Sequence, residues 1–274
     1  MRALVLALLL LAACGSAPPL PEPPDPELAR LSRTGQLAFQ QGRPDQAAGL
    51  FREALARARA RDDAGAIADQ GVNLVVAELR RRDNTAARDV ARDVREELQR
   101  RGAPVPPELL LGEATARWRL SDAGAEPLAR EATKDSSTAE RANFLLGLIA
   151  AGRGDAATLA ALRPGIADPG DAAELAAEAK RLAGDMAGAK ADYMQAAALR
   201  QDQLDYAGMG RALAGAAAAL PNAADAGDLW LRAGRAAAGD FDKKNAQVWL
   251  ARAAAGRGSA ARDARAALAK LRES

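Results

Sequence analysis

The sequence holds no histidine and one cysteine in 274 residues. Without histidine there is no Ser-His-Asp or Cys-His arrangement and no histidine-ligated zinc or iron site. A lone cysteine excludes an intramolecular disulfide and any cysteine cluster. Aromatic residues make up 3% of the chain while apolar residues make up 49%. Alanine and leucine, both strong helix formers, therefore supply most of the apolar content. Long windows of alternating β-branched residues are missing, which leaves a sheet little to build from. The charge surplus is also small: 38 basic against 36 acidic residues, +2 overall, and +1 once residues 1–13 and their Arg2 are removed. A nucleic-acid binder usually carries a basic surplus on one face, and this balance argues against that class. What remains is an all-α chain, long enough to bury a sizeable core.

Local charge clusters read as structure rather than chemistry. Arg57-Ala-Arg59-Ala-Arg61 and Arg80-Arg81-Arg82 are expected at solvated helix ends, where cations complement the helix dipole. Asp62 and Asp63 are adjacent, so on a helix they would diverge by ~100°; they are expected to end one helix or cap the next. Asp202 and Asp205 are expected on one helix face, with no metal loop or phosphate cradle beside them. Gly-Arg-Gly at 152–154 and 256–258 lacks the lysine and serine of a phosphate loop and reads as turns.

The N-terminus has a different character. Ala3–Ala13 is an unbroken apolar run of eleven residues, ~16 Å as a helix and about half of the ~30 Å hydrocarbon layer. That is the size of a signal-peptide core. No later window is long and apolar enough to span, since Phe144–Ala151 stops at Gly152-Arg153. At Leu11-Ala12-Ala13-Cys14 the chain resembles the lipobox of bacterial lipoproteins: an aliphatic residue, two small residues, then cysteine. The resemblance implies cleavage before Cys14 and acylation of both its sulfur and its new amino group. Three acyl chains exceed the two signals that stable anchoring requires. Covalent lipid on Cys14 is the one non-protein group expected, with no cofactor and no metal. Gly15 follows the cysteine, where an aspartate commonly implies inner-membrane retention. By that resemblance the expected location is the inner leaflet of the outer membrane, facing the periplasm. From Pro18 to Pro26 six of nine residues are proline, so residues 15–26 are expected as a polyproline II stalk reaching ~35 Å at ~3.1 Å per residue. The expected organisation is a signal peptide at 1–13, a lipidated cysteine and linker at 14–27, and a helical domain at 28–272.

From Leu28 on, helical stretches alternate with Gly/Asp/Pro breaks at Gly42, Arg82, Ser121, Gly154, Gly184 and Gly239, with spacings of 40, 39, 33, 30 and 55 residues. The last is long enough to hold extra helices. Recurrence at this period marks a solenoid of helical hairpins. "TGQLAFQQGRPDQAAGLFREAL" resembles a tetratricopeptide repeat. Gly35 stands at the small position of helix A, Gly42 in the turn, and Ala47, Phe51 and Ala54 give the small–large–small rhythm of helix B. The rhythm recurs as Gly184, Ala189, Tyr193 and Ala196; Gly147, Ala150 and Gly154 repeat helix A and the turn. Other units are degenerate. Val75 stands where a glycine would, the unit at 109–132 needs one residue inserted before Ala125, and Gly234, Ala246, Leu250 and Ala253 follow the pattern with two extra turn residues. The segment Asp202–Asn222 has no clear partner helix. The resemblance implies a right-handed α-solenoid of about six to seven hairpins that binds a protein or peptide along the concave face of its helices A. Carried over residue by residue, the ligand-facing positions are Arg33, Gln36, Asn73, Arg117, Arg141 and Arg235, an arginine-rich set suited to a carboxylate.

Two functional classes follow. The first is a non-enzymatic, membrane-anchored, periplasm-facing scaffold in envelope assembly or secretion. The alternative is a cell-wall-acting enzyme or ligand-binding protein built on a helical-repeat frame, using a lone glutamate. The anchor has a direct test: Cys14→Ser is expected to leave an unprocessed precursor that incorporates no labelled palmitate. Normal maturation of that variant would remove the lipoprotein reading.

Overall fold

The computed structural model describes residues 25–219 and 226–273; Cys14, the apolar run and most of the proline segment lie outside the described residues. The described residues form fourteen α-helices and no strand. In chain order they are α1 (Pro26–Gln40) and α2 (Pro44–Ala60), α3 (Ala64–Arg80) and α4 (Asn84–Arg100), α5 (Pro107–Arg119) and α6 (Ala125–Ala132), α7 (Ala139–Arg153) and α8 (Ala156–Leu162). Then come α9 (Pro169–Leu182) and α10 (Met186–Asp202), α11 (Tyr206–Ala219), α12 (Ala226–Gly239) and α13 (Lys243–Ala254), and α14 (Ser259–Glu273). The architecture is the expected all-α helical-repeat solenoid, each helix packing on the next along the chain. It starts at Pro26, two residues before the expected Leu28. Asp25 accepts from the Glu27 and Leu28 amides, and proline suits the first helical position.

One turn recurs throughout. A residue with left-handed backbone is followed by an aspartate at Asp62-Asp63, Arg82-Asp83, Gly154-Asp155, Gly184-Asp185, Leu204-Asp205 and Phe241-Asp242. The aspartate amide donates to a carbonyl five residues back, in the last turn of the preceding helix, as from Asp83 to the Glu78 carbonyl at 3.0 Å. Its carboxylate then caps the following helix, as Asp63 accepts from Ala66 and Asp185 from Gly188. Both helix ends are satisfied within about three residues. Asp62 and Asp63 thus end one helix and begin another. Asp202 and Asp205 share no helix face, contrary to expectation: α10 ends at Asp202, and Asp205 belongs to the turn, where its carboxylate accepts from the Gly208 amide and caps α11.

Close approach is the rule in the core, which alanine dominates. A Cβ placed on Gly35 would sit 2.7 Å from the Phe51 ring, and one on Gly234 would sit 2.6 Å from Leu250 Cγ and 3.1 Å from its backbone nitrogen. These are helix A–helix B pairs of the expected rhythm. In the degenerate second unit the contact positions shift. Val75 is buried and projects at Gly112 of α5, where a Cβ would meet it at 2.6 Å, while within the unit a Cβ on Gly71 of α3 would meet Val94 of α4 at 2.7 Å. A large residue still meets a small one at each crossing, so close packing survives without the motif.

Between the breaks at Gly184 and Gly239 the chain adds a single helix, α11, packed equally on α10 and α12. An added hairpin would keep the alternation of inner and outer helices; one helix reverses it. Packing at Gly234 separates tight approach from propensity. Gly234→Ala is expected to cost about 1–3 kcal/mol through overpacking. Gly49→Ala, with open space around it in α2, is expected to stabilise by up to about 1 kcal/mol. Urea-unfolding midpoints should move in opposite directions; equal shifts would contradict the close approach.

Candidate functional site

The inner helices converge on a central cavity. Val72, Val76 and Leu79 of α3, and Arg141, Phe144, Leu145 and Leu148 of α7, recur at three- and four-residue steps, so each set faces the cavity as one stripe. Trp118 and Arg119 end α5 at the same wall. Opposite stand Ala207 and Arg211 of α11 and Trp249 of α13. The space divides into chambers of about 810 and 380 Å³ that share Trp118, Arg119, Ala207 and Arg211.

The curvature of the solenoid closes this space. Asp240, in the turn after α12, is 2% exposed and accepts from Arg80 at 3.0 Å and from Arg82, 158 residues earlier in the chain. Arg82 also lies 3.8 Å from Asp242. The Arg80-Arg81-Arg82 run is therefore no solvated helix end. Two of its arginines clasp the C-terminal helices, and Arg81 pairs with Glu78 and Asp45 at 2.6 Å each. The earlier run behaves similarly, with Arg57 on Asp25 and Arg59 on Glu97.

Three buried glutamates pin the helices behind the cavity. Glu78 takes Arg52 and Arg81, Glu113 takes Arg95 and Arg117, and Glu174 takes Arg200 and Arg211. Each is at most 1% exposed, so each requires those partners. Arg211 binds Glu174 through two nitrogens, at 2.5 and 2.9 Å. Burial opposes its charge, but Glu174 outweighs burial and raises its pKa. Arg200 and Arg211 lie over the Phe144 ring at 5.4 and 5.6 Å from its centre, in cation–π geometry. Burial lifts Asp171 to about 6 against the pull of Arg200, and the buried Nε of Arg200 has no acceptor.

Arg119 differs from these. Among the described residues it pairs with no carboxylate: its guanidinium donates to the Leu79 carbonyl at 3.1 Å and reaches Asn84 Oδ1 at 3.5 Å. Burial, followed by the nearby charges of Arg82 and Arg211, pushes it down to about 9. It remains a cation at neutral pH in a positive environment.

The six positions expected to face a ligand are dispersed. Arg141 is exposed in the central cavity. Gln36 and Asn73 meet in a separate hollow with Asp69 and Gln70. Arg117 is half-buried, held by Glu113 and Asp122 at 2.9 and 2.7 Å. Arg33 is exposed on α1 and lines none of these spaces. Arg235 lies on α12, in another surface hollow, 3.4 Å from Asp263. That last placement follows from the added helix α11. The helix expected to face a ligand in the last unit turns away, and α13 faces inward instead. Trp118, Arg119, Phe144 and Arg211 were not among the expected positions. Their sequence signal is faint: aromatic residues, rare in this chain, standing beside or three residues from an arginine.

No protein-family model matches the chain, and no curated protein is significantly similar to it in sequence. Solved structures are similar in fold. The chain superposes on a tetratricopeptide repeat protein from Parabacteroides merdae with a TM-score of 0.52 and 14% identity, covering 91% of this chain and 100% of that one. A TPR2AB-domain complex of yeast Sti1 with pHSP90 is 16% identical with a TM-score of 0.37, covering 89% and 98% of the two chains. The protein thus belongs to the class of all-α helical-repeat solenoids. Within that class its fold is similar to that of the tetratricopeptide repeat protein from Parabacteroides merdae.

The clasp generates a prediction. Asp240→Asn removes the buried charge opposite Arg80 and Arg82 and is expected to cost about 3 kcal/mol. Small-angle scattering should show a larger radius of gyration. Unchanged melting and unchanged dimensions would show that the clasp does not hold the two ends together.

Proposed function

We propose that the mature chain is a lipid-anchored, periplasm-facing scaffold that recruits a protein or peptide partner during envelope assembly or secretion. Leu11-Ala12-Ala13-Cys14 supports the anchor, and the proline segment after it suits a spacer. Among the described residues no helix is long and apolar enough to cross a membrane, so in this reading attachment rests on the lipid. By the lipoprotein resemblance, glycine rather than aspartate after the cysteine favours the inner leaflet of the outer membrane.

One observation carries the scaffold reading: the concave side of the solenoid leaves contact groups without partners. Val76, 42% exposed, and Arg141, exposed and unpaired among the described residues, line the same cavity from the inner helices α3 and α7. An apolar side chain beside an available guanidinium is a common anchor for a protein surface. No histidine or cysteine chemistry competes with this role, and the described residues form no metal-ligating cluster.

Photo-crosslinking in the living cell tests it. A photoreactive residue at Val76 or Arg141 of the lipidated chain is expected to give a discrete protein adduct, while one at the outward Arg130 gives none. Absence of an adduct at both inner positions would refute the scaffold reading.

A further inference from the structure

The central cavity carries more than an open contact surface requires. Its two chambers are lined by eight cations and five carboxylates, in a chain whose whole surplus is +2. Half of those cations are neutralised in place, Arg81 by Asp45 and Glu78. Arg82 has Asp240 and Asp242, Arg211 has Glu174, and Arg200 has Asp171, Glu174 and Asp205. Arg119 is not, and neither are Lys243 and Lys244, which are exposed at the first turn of α13 and unpaired among the described residues. All three border the 810 Å³ chamber. Its apolar walls are aromatic: Trp118, Trp249 and Phe241, the last 50% exposed.

We propose that this chamber binds a small compound bearing a phosphate or carboxylate group on a flat apolar body. Arg119 receives the anion, Lys243 and Lys244 add charge at the rim, and Trp118 and Trp249 hold the body. The volume lies within the 300–1,000 Å³ range of small-molecule sites, and a few placed polar groups in an aromatic pocket match their usual make-up. The guanidinium of Arg119 has nitrogens beyond those engaged by Leu79 and Asn84, so it can meet an oxyanion through two donors. Arg82 and Arg211 stand near it but are occupied by their own acids, so they set the potential without competing for the anion. The clasp decides between a small ligand and a peptide. Arg82 and Asp242 form part of the chamber wall, which makes the space a pocket closed on that side. A peptide running along the solenoid would need that wall opened.

The site is independent of the anchor and of the protein partner proposed above, and its test is made on the isolated protein. Full-length chain in nonionic detergent is titrated calorimetrically with 1-naphthyl phosphate, 1-naphthoate, uncharged 1-naphthamide and inorganic phosphate. At least one naphthyl anion is expected to bind with one-to-one stoichiometry, and whichever binds more tightly identifies the anionic group. The amide and inorganic phosphate should each bind about tenfold more weakly or worse, since each lacks one half of the recognition. Arg119→Gln should weaken binding about tenfold or more. The exposed pair Lys243→Gln and Lys244→Gln should weaken it about two- to fivefold and flatten its salt dependence. If Arg119→Gln does not fold, the lysine pair carries the test. The proposal fails if no naphthyl anion saturates, if folded Arg119→Gln binds as the parent does, or if a glutamate-rich peptide binds more tightly and displaces the probe.

Discussion

The stacking of this solenoid depends on large side chains that enter gaps left by glycines on neighbouring helices. Phe51 enters at Gly35, Val75 at Gly112, Leu175 at Gly147, Tyr193 at Gly215 and Leu250 at Gly234. With few aromatic residues available, interlocking at short range replaces bulk as the source of core density. The contact needs only that one partner be large and the other small. Val75 and Gly112 satisfy it between units, whereas Phe51 and Gly35 satisfy it within one. That tolerance explains how the fold persists through units that no longer match a repeat pattern.

Close packing brings buried charge with it. Helices that approach so tightly leave Glu78, Glu113 and Glu174 away from water, and each survives only because two arginines reach it. The stack also brings the turn at Asp240 to Arg80 and Arg82. The clasp and the cavity behind it are consequences of how near the helices stand.

Much of the architecture was legible along the chain. The breaks at Gly42, Arg82, Ser121, Gly154, Gly184 and Gly239 all fall at helix junctions, because turn chemistry is local. A left-handed residue and a capping aspartate act within three positions. The small–large rhythm at Gly35 and Phe51 was readable for the same reason. The concave site was less so. Arg141 reaches the cavity, but Arg235 is carried elsewhere by one helix, α11, whose presence alters the facing of everything after it. Arg80 and Arg82 read as part of a helix end because their partner lies about 160 residues away, beyond any pattern that spacing reveals.

By itself the sequence determined what depends on neighbours in the chain. The absence of histidine limited the available chemistry, alanine and leucine set the helices, and Leu11-Ala12-Ala13-Cys14 set the expectation of an anchor. Only the tertiary structure decided which arginines are neutralised and which remain available. Whether a guanidinium is paired depends on distances between helices far apart in sequence. Arg119 and Arg117 stand on one helix, two residues apart, yet one lies against Glu113 and the other against no acid. Their burial and charge environments diverge because the helix turns them toward different neighbours.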